Sequence, residues 1–162
     1  MLILRIGGGA LLLAAGLLQA RERRRTDEAQ IARLAGLLFL LRFTRREIAD
    51  FRTPLREIYA RFEDTALAAC GFLCALRADG LASALKKAEP DLALRGEAAR
   101  TLTELGSHLG RGRAEEELAL LDRGISQLDA ALAVLRTEAP RTARVRSGLF
   151  TVAALMLTVL LL

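Results

Sequence analysis

LALLDRGISQLDAALAVL, residues 118–135, decides the fold class. Leu118, Leu121, Ile125, Leu128, Leu132 and Leu135 recur at steps of three and four, the spacing that lines side chains along one stripe of an α-helix. Glu115, Glu116 and Glu117 stand in its first turn, where the helix macrodipole favours negative charge. Pro140 is expected to stop the helix, because proline removes a backbone donor and clashes with the preceding turn. The stripe predicts packing on the chain's own helices rather than an intermolecular coiled coil. The interior of roughly 115 residues is long enough to form a core.

Beyond Pro140 come Arg141, Arg144 and Arg146, and then Gly148 to Leu162 without a charged residue. As an α-helix that tail covers about 22 Å, short of a hydrocarbon core of roughly 30 Å. Local thinning, or recruitment of Val145 and Ser147, makes up the difference. The other end mirrors it. Leu2 to Ala20 is apolar apart from Arg5, and Arg21, Arg23, Arg24 and Arg25 follow. That segment spans about 28 Å as a helix. Its charge lies after the apolar run and its end is a poor small-x-small site, so it reads as an anchor and not as a cleaved signal peptide. With both basic clusters on the interior side, the positive-inside rule puts the middle of the chain in the cytoplasm. The expected organisation is a transmembrane helix over 1–20, a cytoplasmic α-helical bundle over 21–146 and a second transmembrane helix over 147–162. In fold class this is an all-α cytoplasmic bundle flanked by two membrane helices, with lipid as one partner.

The interior also reads as helices. From Asp27 to about Asp50, Ile31, Leu34, Leu38, Leu41 and Ile48 keep helical spacing, and the run Leu37–Leu41 is apolar all round, as an enclosed helix would be. Thr53-Pro54 opens a second helix, with Thr53 as N-cap and Pro54 at the first helical position. Ala66–Leu76 forms another, ending near Asp79-Gly80. Leu81–Lys87 follows, with a break at Pro90 and a helix over 91–105. Leu105 to Gly112 is a helix end followed by a turn.

The charge of +5 suggests nucleic acid until it is located. Between Thr26 and Pro140 there are 16 basic and 18 acidic residues, so the excess belongs to the flanks. A nucleic-acid binder would concentrate it on the folded face, and none is expected as a partner. Cys70 and Cys74 share a helical face but lack further ligands, the single His108 being remote. They read as small apolar core residues, and no metal or cofactor is expected. The glycines at 106, 110 and 112 follow no strand and precede no Lys-Ser/Thr pair, so they do not form a phosphate loop. Without converging titratable groups, neither an enzyme nor a small-molecule substrate is expected.

Glu47-Ile48-x4-Thr53-Pro54-Leu55, then Leu105-Gly106-x2-Leu109-Gly110, then the heptad-patterned helix and the apolar tail resemble the stage III sporulation protein AB family over essentially the whole chain. After the second Leu-Gly the chain has Arg113 and Glu117 where the family commonly has Asp and Gln. The resemblance implies a bundle similar to the domains of type II secretion F proteins. It implies a scaffold subunit of the secretion channel between mother cell and forespore, in the outer forespore membrane and facing the mother cell. The expected partners are a secretion-type ATPase of the same operon, similar to stage III sporulation protein AA, and other channel subunits. Glu47, Ile48, Thr53, Pro54, Leu55, Leu109 and Gly110 are the candidate partner-binding residues. The alternative reading is a membrane-tethered helical adaptor regulating an unrelated complex.

Overall fold

Leucine and alanine lose little side-chain entropy in a helix, and they supply most of this chain's apolar mass. A computed structural model describes the backbone of residues 2–94 and 96–161, with the side chains of 24–137 except 95 and 97, and those of 19, 21 and 22. Helix α1 runs Leu2–Arg46 and passes directly into a π-helical turn, Glu47–Phe51. The rest follow as α2 (Leu55–Arg61), α3 (Thr65–Ala69), α4 (Phe72–Asp79), α5 (Leu81–Leu92), α6 (Gly96–His108) and α7 (Ala114–Leu161). The fold is all-α, with no strand among the described residues.

The chain divides into two units by contact, Met1–Glu28 with Leu135–Leu162, and Ala29–Val134. Among the described residues no helix is long and apolar enough to cross a membrane. Apart from Gln19, the side chains of the two expected anchors, 2–20 and 147–162, lie outside the described residues.

Within Ala29–Val134, α1 and α7 run antiparallel. Arg45 makes a two-pronged pair with Asp122, and Arg42 lies 3.5 Å from Asp129, so the numbering rises on one helix as it falls on the other. These exposed pairs hold register more than they stabilise, since water screens them. The core lies between this hairpin and the shorter helices. Leu34, Leu37, Leu40 and Leu41 of α1 are fully buried, as are Ile58, Leu67, Phe72, Leu76, Leu102, Leu105 and Leu121. Of the Leu37–Leu41 run, only Phe39 faces out, its ring against that of Phe62 at 5.6 Å between centroids. The α7 stripe packs on the chain's own helices: Leu121, Leu128 and Leu132 are buried, and Leu41 and Leu105 lie over Gly124.

Four local expectations are corrected. Thr53 does not cap α2; Pro54 holds that position, its carbonyl accepting from the amides of Glu57 and Ile58 at 3.0 and 3.2 Å. Proline with ψ near 139° satisfies the geometry without a side-chain oxygen. The apolar stretch 66–76 is two helices, because Gly71 at φ +73° turns the chain between Ala69 and Phe72. Pro90 lies inside α5; the break comes after Leu92, where Ala93 adopts φ +46°. There the side chains of Gln30 and Arg33 donate to the carbonyls of Leu92 and Asp91, groups left without helical partners. Pro140 likewise does not end α7, whose helical backbone continues to Leu161. One proline removes one ladder bond, a local cost of about 3 kcal/mol that good helix formers on both sides sustain.

Two glycines separate close approach from vacancy. A Cβ on Gly106 would stand 3.0 Å from the Ala82 Cα, backbone against backbone between α6 and α5. On Gly124 it would meet only Leu105 and Leu41 methyls at 3.5 and 3.7 Å. Gly124→Ala is therefore expected to stabilise the bundle by about 1 kcal/mol through helix propensity. Gly106→Ala is expected to destabilise it by about 1 kcal/mol through overpacking. Urea midpoints of the two variants test the contrast, and the reverse order would contradict this packing.

Candidate functional site

The end of α1 is built from a backbone that stops winding as an α-helix. Over Glu47–Phe51 the hydrogen bonds lengthen to the π pattern and close with Arg52 N–H to the Ile48 carbonyl and Thr53 N–H to the Glu47 carbonyl, both 3.2 Å. The pair nests like the closure in which a left-handed residue ends an α-helix, each bond one residue wider here, and that left-handed place is usually taken by glycine. Here Arg52 occupies it at φ 52°, ψ 34°. The Glu47 carboxylate, only 13% exposed, then accepts from the Thr53 hydroxyl at 3.0 Å and from the Arg61 guanidinium. Thr53 thus ties the turn to Glu47 rather than opening α2, and Arg61 brings the far end of α2 back to the same carboxylate. Arg77 of α4 covers that end, donating to the Phe62 carbonyl at 2.9 Å and the Tyr59 carbonyl at 3.4 Å.

The second half comes from the α6–α7 turn. Gly110 adopts φ +86°, and a Cβ there would lie 2.8 Å from Leu55 Cδ1. Leu55 therefore rests on the face of Gly110. The turn is tied to α7 by Glu117, whose Oε1 accepts from the amides of Gly110 at 2.8 Å and Gly112 at 3.3 Å. Glu117 is 8% exposed, and two amide donors near a helix N-terminus suit a carboxylate there. Tyr59 of α2 lies close enough to feel it. Burial first, and the Glu117 charge second, push the Tyr59 phenol above its usual 10.0.

That shift has a sign. As pH rises past about 10, the unfolded tyrosine gives up its proton before the folded one, so the unfolded state binds fewer protons and folding stability falls. Below that pH the group contributes no slope. Tyr59→Phe is expected to abolish its share of the decline, read from unfolding midpoints between about pH 9 and 11; an unchanged slope would mean the phenol is solvated.

Residues 47–55 and 105–110, separated by the helices α2 to α6, thus meet through Leu55 and Gly110 at one end of the Ala29–Val134 unit, and the family match covers both. The family model for stage III sporulation protein AB matches residues 5–162. The chain belongs to the stage III sporulation protein AB family. No curated protein and no solved structure matches it.

All seven candidate residues of this family member lie in the assembled end, though they play different parts. Ile48 is buried, Thr53, Leu55 and Leu109 are half-buried, and Pro54 and Gly110 are exposed. Four participants escaped the sequence reading: Phe51, Tyr59, Arg61 and Glu117 as a turn clamp. Glu117 had a signal, being an acid four residues before Leu121 and seven before Gly124, on the buried stripe itself. Arg61 and Tyr59 had none, since only the turn at residues 52–54 brings α2 back. The expectation that Cys70 and Cys74 share a helical face in the core is corrected: Cys70 sits half-buried in the turn after α3, its thiol donating to the Leu67 carbonyl at 3.3 Å, and Cys74 is exposed on α4 because Gly71 turns the chain between them; His108 is exposed at the end of α6. Among the described residues no group of three or more His, Cys, Asp and Glu side chains could hold a metal ion.

Proposed function

We propose that the chain is a non-enzymatic platform subunit of the secretion channel between mother cell and forespore, docking a cytoplasmic secretion-type ATPase on its helical bundle. Its segments 2–20 and 147–162 cross the outer forespore membrane, and the bundle faces the mother-cell cytoplasm. The apolar runs ending in Arg21–Arg25 and beginning after Arg141–Arg146 support the anchoring. Membership of a stage III sporulation family supports the setting. In architecture the bundle is taken to resemble the type II secretion F domains, which pass movement of a cytoplasmic motor to membrane partners.

The observation that carries the docking reading is the meeting of the two motifs. Leu55 against Gly110 closes the end of the bundle where α1 turns into α2 and α6 into α7. Along α1 that end lies about 27 Å from Ala29, where the chain leaves the unit. Within the unit, the surface therefore lies at the end remote from Ala29, which supports its reading as a docking face for a cytoplasmic motor.

The test uses full-length protein in sporulating cells. Membranes washed with alkaline carbonate are expected to retain it, and affinity isolation in detergent is expected to bring down the secretion-type ATPase. Release of the protein by carbonate would overturn the anchoring, and its isolation with the other channel subunits but without the ATPase would overturn the docking.

A further inference from the structure

Phe51 is 65% exposed, more than any other large apolar side chain among the described residues. Its position in sequence points the other way. It stands three residues after Ile48 and seven after Thr44, which are 7% and 1% exposed. An uninterrupted α-helix would therefore carry Phe51 onto the buried stripe. The π turn advances less per residue and swings it out. The next residue, Arg52, is held in the left-handed conformation that favours glycine. Two adjacent residues thus each give up stability, one by leaving the core register and one by backbone strain. Local sacrifice of this kind concentrates where a protein meets its ligands. Phe39, the other exposed phenylalanine, has no such history: it packs on Phe62 from a regular helix.

The charge around Phe51 is partly spent and partly offered. Glu47 is engaged by Arg61 and Thr53, Asp50 by Arg46, and Glu117 by the amides of Gly110 and Gly112. Arg52 and Arg56 flank the Pro54-Leu55 corner, Arg111 and Arg113 flank the Gly110 turn on which Leu55 rests, and all four are exposed. The exposed acids of the same segments are Asp50, which lies 3.7 Å from Arg46, and Glu57, Glu115 and Glu116. Glu116 is folded back over the turn, with Oε2 3.3 Å from where a Gly112 Cβ would stand.

We propose that Phe51 is the anchor of a protein-docking surface, rimmed by Arg52, Arg56, Arg111 and Arg113, whose partner offers an apolar pocket edged by carboxylates. The proposal rests on the reading of this end of the bundle as the docking face, and adds the anchor and the chemistry of what it takes. Aromatic residues, phenylalanine included, and arginine are enriched at protein interfaces over the rest of the surface. The rim charges set orientation and association rate more than affinity. Glu57, Glu115 and Glu116 break the arginines into separate positive points, which the discrete carboxylates of a protein match and the continuous negative charge of a phosphate backbone or an anionic lipid surface does not.

The experiment places a photo-crosslinking phenylalanine analogue at position 51, and separately at 39, of the full-length protein in sporulating cells. An adduct is expected from position 51 and not from 39, its crosslinked partner peptide carrying Asp or Glu beside apolar residues. Arg52→Glu with Arg111→Glu is expected to cut its yield at least tenfold. Phe51→Ala is expected to lower spore yield at least tenfold while the unfolding midpoint of the detergent-purified protein stays unchanged. Arg52→Gly is expected to raise that midpoint yet weaken capture, two readouts that a structural role would move together. A lipid adduct at 51, or adducts at 39 alone with the ATPase still co-isolated, would overturn this proposal and leave the platform reading standing. Loss of the ATPase from the unmodified protein would overturn both.

Discussion

Replacing Gly110 with alanine is expected to destabilise the bundle by about 2 kcal/mol, and with valine by about 3 kcal/mol. Most of that is backbone conformation. At φ +86° an L side chain is strained whatever the space around it, and a β-branched one more so. The remainder is contact, since the new Cβ would stand 2.8 Å from Leu55 Cδ1. That methyl is the far end of a flexible side chain, so it can yield, and the contact share is the smaller one. Leu55→Ala combined with Gly110→Ala separates the two. It is expected to recover roughly 1 kcal/mol as a coupling energy while leaving the conformational cost in place. Urea midpoints of the two single variants and the double variant measure it. Strict additivity would mean that Leu55 and Gly110 do not touch, and the meeting of the two motifs would fall with it.

Glu117→Leu is the second large effect, a loss of about 3 kcal/mol. Its carboxylate is the acceptor for two amides of the α6–α7 turn, and leucine leaves both without a partner in a part-buried position. Glu117→Gln keeps one carbonyl oxygen of the same reach and loses only the charge, so about 1 kcal/mol is expected. Glutamine's equal size makes it the informative control. Hydrogen exchange gives the local readout. In Glu117→Leu the Gly110 and Gly112 amides are expected to lose protection more than the amides of Leu121 and Leu128. Equal loss across α7 would show that Glu117 stabilises the helix as a whole and not the turn.

Much of this molecule was legible in single residues. The three- and four-residue steps of Leu121, Leu128 and Leu132 named the buried stripe of α7, and Leu34 and Leu41 that of α1. Leu105 to Gly112 marked the turn between α6 and α7. The misreadings share a cause. Thr53, Pro90 and Pro140 were weighed by local preference, as cap or breaker. In the fold Thr53 answers to Glu47, six residues away and brought back by a backbone that winds differently. Phe51 shows the same limit more sharply: periodicity assigns it to the core, and a change of helical pitch presents it to solvent.

By itself, then, the chain of amino acids determined that the fold would be helices and which leucines they would bury. Apolar periodicity and helix propensity are local properties, and burial of the stripes follows from them. Tertiary structure alone decided that residues 47–55 and 105–117 would form one surface, with Glu117 clamping one side and Glu47 the other. That juxtaposition depends on where the chain reverses. The reversals are governed by single φ values at Arg52 and Gly110 and by long-range contacts such as Leu55 on Gly110, which no window of sequence contains.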